Sequence, residues 1–506
     1  MKKSFLLLPL AFALLFAYLF HGQQAGINIL IFNVLLISML IRTRRLSPGN
    51  RLHLIFLAGA AISSIMVAVN GEGVALAGNI FSLMMLCAVA AFPGMVVPLN
   101  AMVALPSAML TGPREWLRAI TSEPGGKSGA GRLFRKGAMW VVPLIVFLLF
   151  VLIYSAASPF FNKFTGNFLQ GFNEMMQEIF RWISPGYFWL AIVGFALYLF
   201  YFFGIFNNIF RIFREEETDR LTRERKPFSG RFNALKNEYR SGIILLILLN
   251  LALALMNVLD IRHVWLFFEW DGGYLKQFVH EGTWLLIVSI LISIFIVVWV
   301  FRGNLNFYSK NRLLLMLSRI WLYQNIILAI SVAVRNFWYI HYFNLAFKRI
   351  WVFAFLILVV FGIITVLLKL RHKKTLQYLL VQNSLMAYAV IIFTGLFNWD
   401  MVIARYNVKH AGKAFFHTDF MMRLDSSTLP VLRLDASSLN RIDSLNRINF
   451  PDHHYYASVD TYAGHIDQRT RNFLQGYPRL TWQSFNIADA RAYRRLSEAG
   501  GAQLHK

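Results

Sequence analysis

Apolar runs of about 18 residues or more recur from the N-terminus to about residue 397, parted by short polar segments. Each is near the ~20 residues that a helix needs to cross a bilayer. The pattern predicts eleven spans, near 5–20, 27–41, 52–69, 74–97, 138–157, 185–210, 241–259, 283–301, 313–334, 350–368 and 378–397. The fourth continues as an apolar stretch broken by Pro93, Pro98 and Pro106, where a kink or an interfacial segment is expected. After residue 397 the pattern turns polar and mixed in charge, with short helices predicted at 416–424, 427–448 and 487–498 and a loop over 451–468. Phe161, Phe164, Phe168, Phe172, Met175 and Ile179 recur every three or four positions, which predicts an amphipathic helix on the membrane surface. The mixed charges of 211–240 predict a polar extension of the sixth span, stopped by Pro227 and Gly230. The fold class is therefore all-α: a polytopic helical membrane bundle with a small, mainly helical C-terminal soluble domain. The chain divides into N-terminal membrane hairpins (1–137), a main transmembrane bundle (138–397) and a C-terminal extracytoplasmic domain (398–506).

Composition agrees with a bilayer as solvent. Of 506 residues, 57% are hydrophobic and 15% charged, and the mean hydropathy is +0.52; soluble domains carry about a quarter charged residues. The net charge of +25 is not a nucleic-acid footprint, because the cations sit mainly in short loops without interleaved stacking aromatics. With the N-terminus in the cytoplasm, the inner segments hold 28 Lys or Arg and the outer loops 7. That asymmetry puts residues 398–506 outside. The N-terminal stretch has some features of a signal peptide, but its apolar core is long and no small-x-small site follows, so it reads as a retained span. Cys87, the single cysteine, lies in an apolar run and excludes an intramolecular disulfide or a cysteine metal cluster.

Polar groups inside spans carry more information, since lipid cannot satisfy them. Asn250 and Asn257, seven apart, share a face of the seventh span; Arg319, Gln324 and Asn325 lie in the ninth; Gln382 and Asn383 lie in the eleventh. Two readings apply: a polar path for a substrate between spans 7, 9 and 11, or hydrogen bonds between helices worth about 1 kcal/mol each. No carboxylate is evident inside a span, which counts against a proton-coupled pump.

"RNFWYIHYFNLAFKRIWVFAFL" (335–356), "FNWDMVIARYN" (397–407), "DFMMRLDSSTLPVL" (419–432) and "TWQSFNIADARAYRRL" (481–496) follow one another in an order that resembles a bacterial family of multi-pass membrane proteins. It is known only as a domain of unknown function, of the type numbered four-one-seven-three, with a related four-one-five-three type. The resemblance covers about residues 240–500. It marks Arg335, Asn336, Tyr339, Ile340, Lys348 and Arg349, then Asn398, Asp400, Ile403, Tyr406 and Asn407, then Trp482, Ser484, Phe485 and Asn486. Where the family often has Gly-Leu-Thr, this chain has Asn344, Leu345 and Ala346. The resemblance implies a bacterial inner membrane location and transfers no activity.

Asn398 is placed to cap a helix that leaves the membrane, with Asp400 at its positive end. Topology puts Asp400 on the same side as Arg335, Lys348 and Arg349, so an ion pair with one of them is expected. Asp452, His453, His454, Asp460, His465 and Asp467 include metal-ligand types, but at no standard spacing. No nucleophile stands beside an oriented base. The chain thus reads as an inner-membrane protein, not evidently an enzyme, with no cofactor or metal expected. Its immediate partner is the lipid bilayer, and nucleic acid is excluded. Loop 211–240 and the C-terminal domain are the surfaces offered to a protein partner. An envelope scaffold or signalling role is the first expectation; a transporter or lipid-handling protein is the second.

Overall fold

The computed structural model describes residues 2–43, 45–46, 49–91, 95–121, 184–203, 219–223, 234–266, 272–301, 304–451 and 457–504. The fifth predicted span, the amphipathic segment 158–184 except its last residue, and most of loop 211–240 lie outside them. Among the described residues every extended element is helical, and the only β pairing is two isolated bridges.

The membrane part comprises α1 (Lys2–Phe20), α2 (Ile27–Arg42), α3 (Arg51–Asn70), α4 (Gly73–Ala91), α5 (Pro98–Thr121), α6 (Pro185–Phe203), α7 (Ala234–Asp260), α8 (Gly272–Val300), α9 (Arg312–Phe343), α10 (Phe347–His372) and α11 (Leu376–Thr394). Seven helices among the described residues are long and apolar enough to cross a membrane, and α1, α2 and α8 contribute shorter apolar segments. The break after the fourth span falls between α4 and α5, where Pro98 takes the first position of the new helix, which suits a residue without an N–H.

α7 shows why this is a bundle for lipid. It exposes Ile244, Leu248, Leu251, Leu255 and Val258 on one face. Its other face buries Leu246 and Leu253 together with Asn250 and Asn257. Water would favour the reverse arrangement; lipid favours apolar groups outside and amides paired inside.

Two apolar cores fill the membrane part. One gathers Phe12, Leu36, Phe56, Leu86 and Tyr198 from α1–α6. The other gathers Leu246, Ile290, Leu322, Val359 and Ile363 from α7–α10. α11 belongs to both, through Tyr388 in the first and Leu379 in the second. Gly59 makes the first contact: a Cβ there would lie 1.7 Å from the Tyr388 hydroxyl, so only glycine lets the ring pack on α3. That hydroxyl donates to Ser82 Oγ on α4 at 2.8 Å.

At two places that bear on the site, predicted loop proves to be helix. Residues 335–349 hold the end of α9 and the start of α10, leaving only Asn344–Ala346 as turn. No Pro or Gly interrupts that stretch, and Arg335 is neutralised where it enters the bundle. In the tail, the predicted loop 451–468 gives way from Val459 onward to a helix, capped by the Ser458 hydroxyl, which accepts from Thr461 N–H. The C-terminal region comprises α12 (Trp399–Lys409), α13 (Thr418–Met421), α14 (Leu429–Leu432), α15 (Ala436–Asn449), α16 (Val459–Gly476) and α17 (Ile487–Leu504). Its core, with Phe416, Leu429, Tyr462 and Leu496, takes in Leu345, Phe347 and Ile350 from the α9–α10 turn.

Candidate functional site

The polar residues of the spans sort into two seams. Between α7 and α9, Asn250 Nδ2 donates to Leu246 O at 2.6 Å and to Leu317 O at 3.2 Å. Gln324 Nε2 donates to Asn250 Oδ1 at 2.9 Å, and Asn257 Nδ2 donates to Gln324 O at 3.1 Å. The α9 partners are spaced by seven, which keeps them on the line where the two helices meet. Asn325 turns back on its own helix and donates to Trp321 O. Asn383 belongs to the other seam: its amide donates to Thr365 Oγ1 of α10 at 3.0 Å and to Leu379 O at 2.8 Å. Gln382 is partly exposed beside it, and Arg319 is exposed on α9.

At its upper end the α7–α9 seam carries a charge pair that the sequence pattern hid. Arg335 Nη2 donates to Asp260 Oδ1 at 2.5 Å, and Ser331 Oγ donates to Asp260 Oδ2 at 2.6 Å. Both charged side chains are buried, at 3% and 6% exposure. The apolar run stops at 259, so hydropathy alone leaves Asp260 in the loop that follows. The helix runs on, and a π-helical turn from Ile261 to Leu266 is fastened to α9 by Trp338 Nε1, which donates to Val264 O at 3.0 Å. The available signal was spacing: Asp260 follows Asn257 by three and stays on its face.

Above this pair the α9–α10 turn meets the C-terminal domain. Asn336 Nδ2 donates to Arg349 O at 2.9 Å. Arg349 Nη1 donates to Phe343 O at 2.6 Å, and its guanidinium lies 4.3 Å from the centre of the Tyr339 ring. Lys348 is exposed. Asn344 has φ 64° and ψ −175°, a positive-φ conformation that glycine adopts most readily, and it stands where the resembling family has glycine. Its side chain donates to Phe415 O at 3.0 Å. Asn407 pairs with Leu345 in both directions, accepting from its N–H at 2.8 Å and donating to its carbonyl at 3.0 Å. Tyr406 stacks on His410 with centroids 4.1 Å apart.

Asn398 caps α12, its Oδ1 accepting from Met401 N–H at 2.8 Å. The expected partners of Asp400 are engaged elsewhere, Arg335 with Asp260 and Arg349 with Phe343 O. Asp400 instead accepts from Asp425 N–H at 3.0 Å. Burial pushes its carboxyl above the usual range. Nearby, Glu72 in the α3–α4 turn accepts from Trp399 N–H at 3.1 Å, while its second oxygen is buried without a hydrogen bond. Burial first, then the neighbouring Asp400 and Asp425 charges, raise Glu72 to about 8.

The final segment closes the junction. Gln24 N–H donates to Ser484 Oγ at 2.9 Å, Ile27 N–H to Phe485 O at 2.9 Å, and Gln483 Nε2 to Tyr18 O at 3.1 Å. Trp482 is exposed at the edge of this contact. Asn486 caps α17 by accepting from Asp489 N–H at 2.8 Å, and its amide packs so close to Gly71 that a Cβ there would lie 2.9 Å away. The residues 335–349, 398–407 and 482–486, far apart in sequence, thus gather at one face, where the C-terminal region packs on the turns of the bundle. Asp460, His465 and Asp467 lie on α16, and no cluster of three or more metal-ligating side chains occurs among the described residues. Asp452, His453 and His454 lie outside them.

A family model described as "Domain of unknown function (DUF4153)" matches residues 7–434. No curated protein and no solved structure matches the chain.

Proposed function

This chain belongs to the DUF4153 family, and we propose that it is a membrane-embedded scaffold or signalling partner of the cell envelope that presents its C-terminal domain on a fixed base. The observation that carries this reading is the junction. Four separate parts of the bundle, the α1–α2, α3–α4 and α9–α10 turns and the end of α11, bond to the C-terminal domain through backbone groups as well as side chains. Such an arrangement suits a domain held in one orientation. The alternative, a transporter with a polar path between spans 7, 9 and 11, is less favoured: Asn250, Asn257, Gln324 and Asn383 spend amide hydrogens on neighbouring helices, and the spans 7–9 and 10–11 pairs form separate seams. The charge asymmetry of the loops supports a C-terminal domain outside the inner membrane.

Photo-crosslinking residues at Ile448 and Trp482, both exposed on the C-terminal domain, test this in native membranes. A discrete adduct of one envelope protein from either position is expected. Uptake of solute into proteoliposomes by the purified chain, with no adduct from either position, would reverse the order of the two readings.

A further inference from the structure

We infer that α9, α10 and α11 hold an anionic phospholipid, its headgroup at Arg319 and Arg371 and an acyl chain in the groove above them. The groove has a volume of about 460 Å³ and is lined by apolar side chains, among them Ala329, Ile330 and Ala333 on α9, Ile357 and Ile364 on α10, and Met386 on α11. The two alanines leave room where α9 and α10 would otherwise close. Ile330, Ile357 and Ile364 are exposed, so the groove opens toward lipid.

Each helix continues the groove face into a polar group on the side away from the C-terminal domain. On α9, Ile330, Ile326, Tyr323 and Arg319 recur at helical spacing. On α10, Ile364, Leu368 and Arg371 do the same. On α11, Gln382 lies one turn from Met386. Arg319 and Arg371 each stand 24 residues from their end of the α9–α10 turn. At about 1.5 Å per residue that is about 36 Å, just beyond a hydrocarbon core of about 30 Å. Both arginines therefore lie at one depth, at the end of the bundle away from the C-terminal region, from which long side chains snorkel to the phosphate layer. Both are exposed, and neither has a carboxylate within salt-bridge distance among the described residues. The Gln382 amide has no hydrogen-bond partner there either. Two unneutralised cations fit an anionic headgroup better than a zwitterionic one, and the Gln382 amide, level with Thr365 through Asn383, stands about 9 Å above them. From that depth up to Ile330 is about 16 Å of helix, about the thickness of one leaflet of acyl chain.

The test uses the full-length chain in nanodiscs of phosphatidylcholine containing a minor fraction of phosphatidylglycerol, followed by gentle extraction and native mass spectrometry. Retention of phosphatidylglycerol over phosphatidylcholine is expected. R319Q and R371Q should each lower that retention about fivefold. A333F, which fills the groove, should lower it with both arginines present, and K348Q, at the opposite end, should leave it unchanged. Thermal melting identifies the variants that remain folded. Equal retention of the two lipids by the native chain overturns the proposal. So does undiminished phosphatidylglycerol in a folded R319Q/R371Q variant, or an equal loss in K348Q.

Discussion

Asp260 and Arg335 show what one residue contributes where water is excluded. A buried ion pair adds little over an apolar pair of equal volume, but removing one partner strands the other charge at a cost of about 3–5 kcal/mol. Asp260→Leu or Arg335→Met alone should therefore lower the melting temperature sharply in detergent. The double variant should recover most of the loss, a non-additivity that a thermal-melting cycle measures. Glu72 makes a different prediction. Its carboxyl is raised from 4.5 to about 8 by burial, so the folded state holds this proton more tightly than the unfolded state. Stability of the junction should then fall as pH rises from about 4.5 to about 8 and level off above that. Glu72→Gln should remove this slope and strengthen the junction at alkaline pH, as read by protease release of the C-terminal domain. The Asn250 and Asn257 face was legible in the sequence from seven-residue spacing. The Asp260–Arg335 pair was not, because hydropathy ends a span at the first charge whether or not a partner awaits it.

At the scale of elements, α11 is the helix on which the two membrane cores depend. Gly59→Ala should destabilise the bundle by about 1–3 kcal/mol through overpacking, because its new methyl would occupy the place of the Tyr388 hydroxyl. In a Tyr388→Phe background the same substitution should cost less, since the closest atom is gone; thermal melting of the four variants decides it. Helix positions were readable because lipid demands continuous apolar runs, and α1–α4 and α6–α11 coincide with predicted spans. Their ends were less readable. α9 runs nine residues past the predicted limit of its span, to Phe343, since Arg335 and Asn336 find partners that only neighbouring helices supply. α16 was overlooked because its polar exposed positions outnumber the three buried ones, Tyr462, Ile466 and Thr470.

At the scale of the whole molecule, the turns after α1, α3 and α9 all reach the C-terminal domain, while Lys369, Leu221 and Thr375 bond across the opposite face through Phe301 O, Lys373 O and Asp219 O. Cysteines replacing Gln24 and Ser484 in a Cys87→Ser background should therefore cross-link in intact membranes. Cysteines at Gln24 and Lys310 should not, because they stand on opposite faces. Labelling with an impermeant thiol reagent from outside intact cells should reach exposed tail positions and spare Lys310→Cys. That outcome follows from the cationic loops, which resist crossing the membrane.

That the chain is a helical bundle for lipid, and roughly where its helices lie, was readable from the sequence alone. Those properties follow from local apolar length and local charge, which one stretch of chain expresses alone. Tertiary structure decided which helices share a polar seam, that Asp260 rather than Asp400 answers Arg335, and that three distant motifs meet beneath one domain. Hydrogen bonds and ion pairs act over a few ångströms between residues scores of positions apart, so their partners exist only once the helices have been packed.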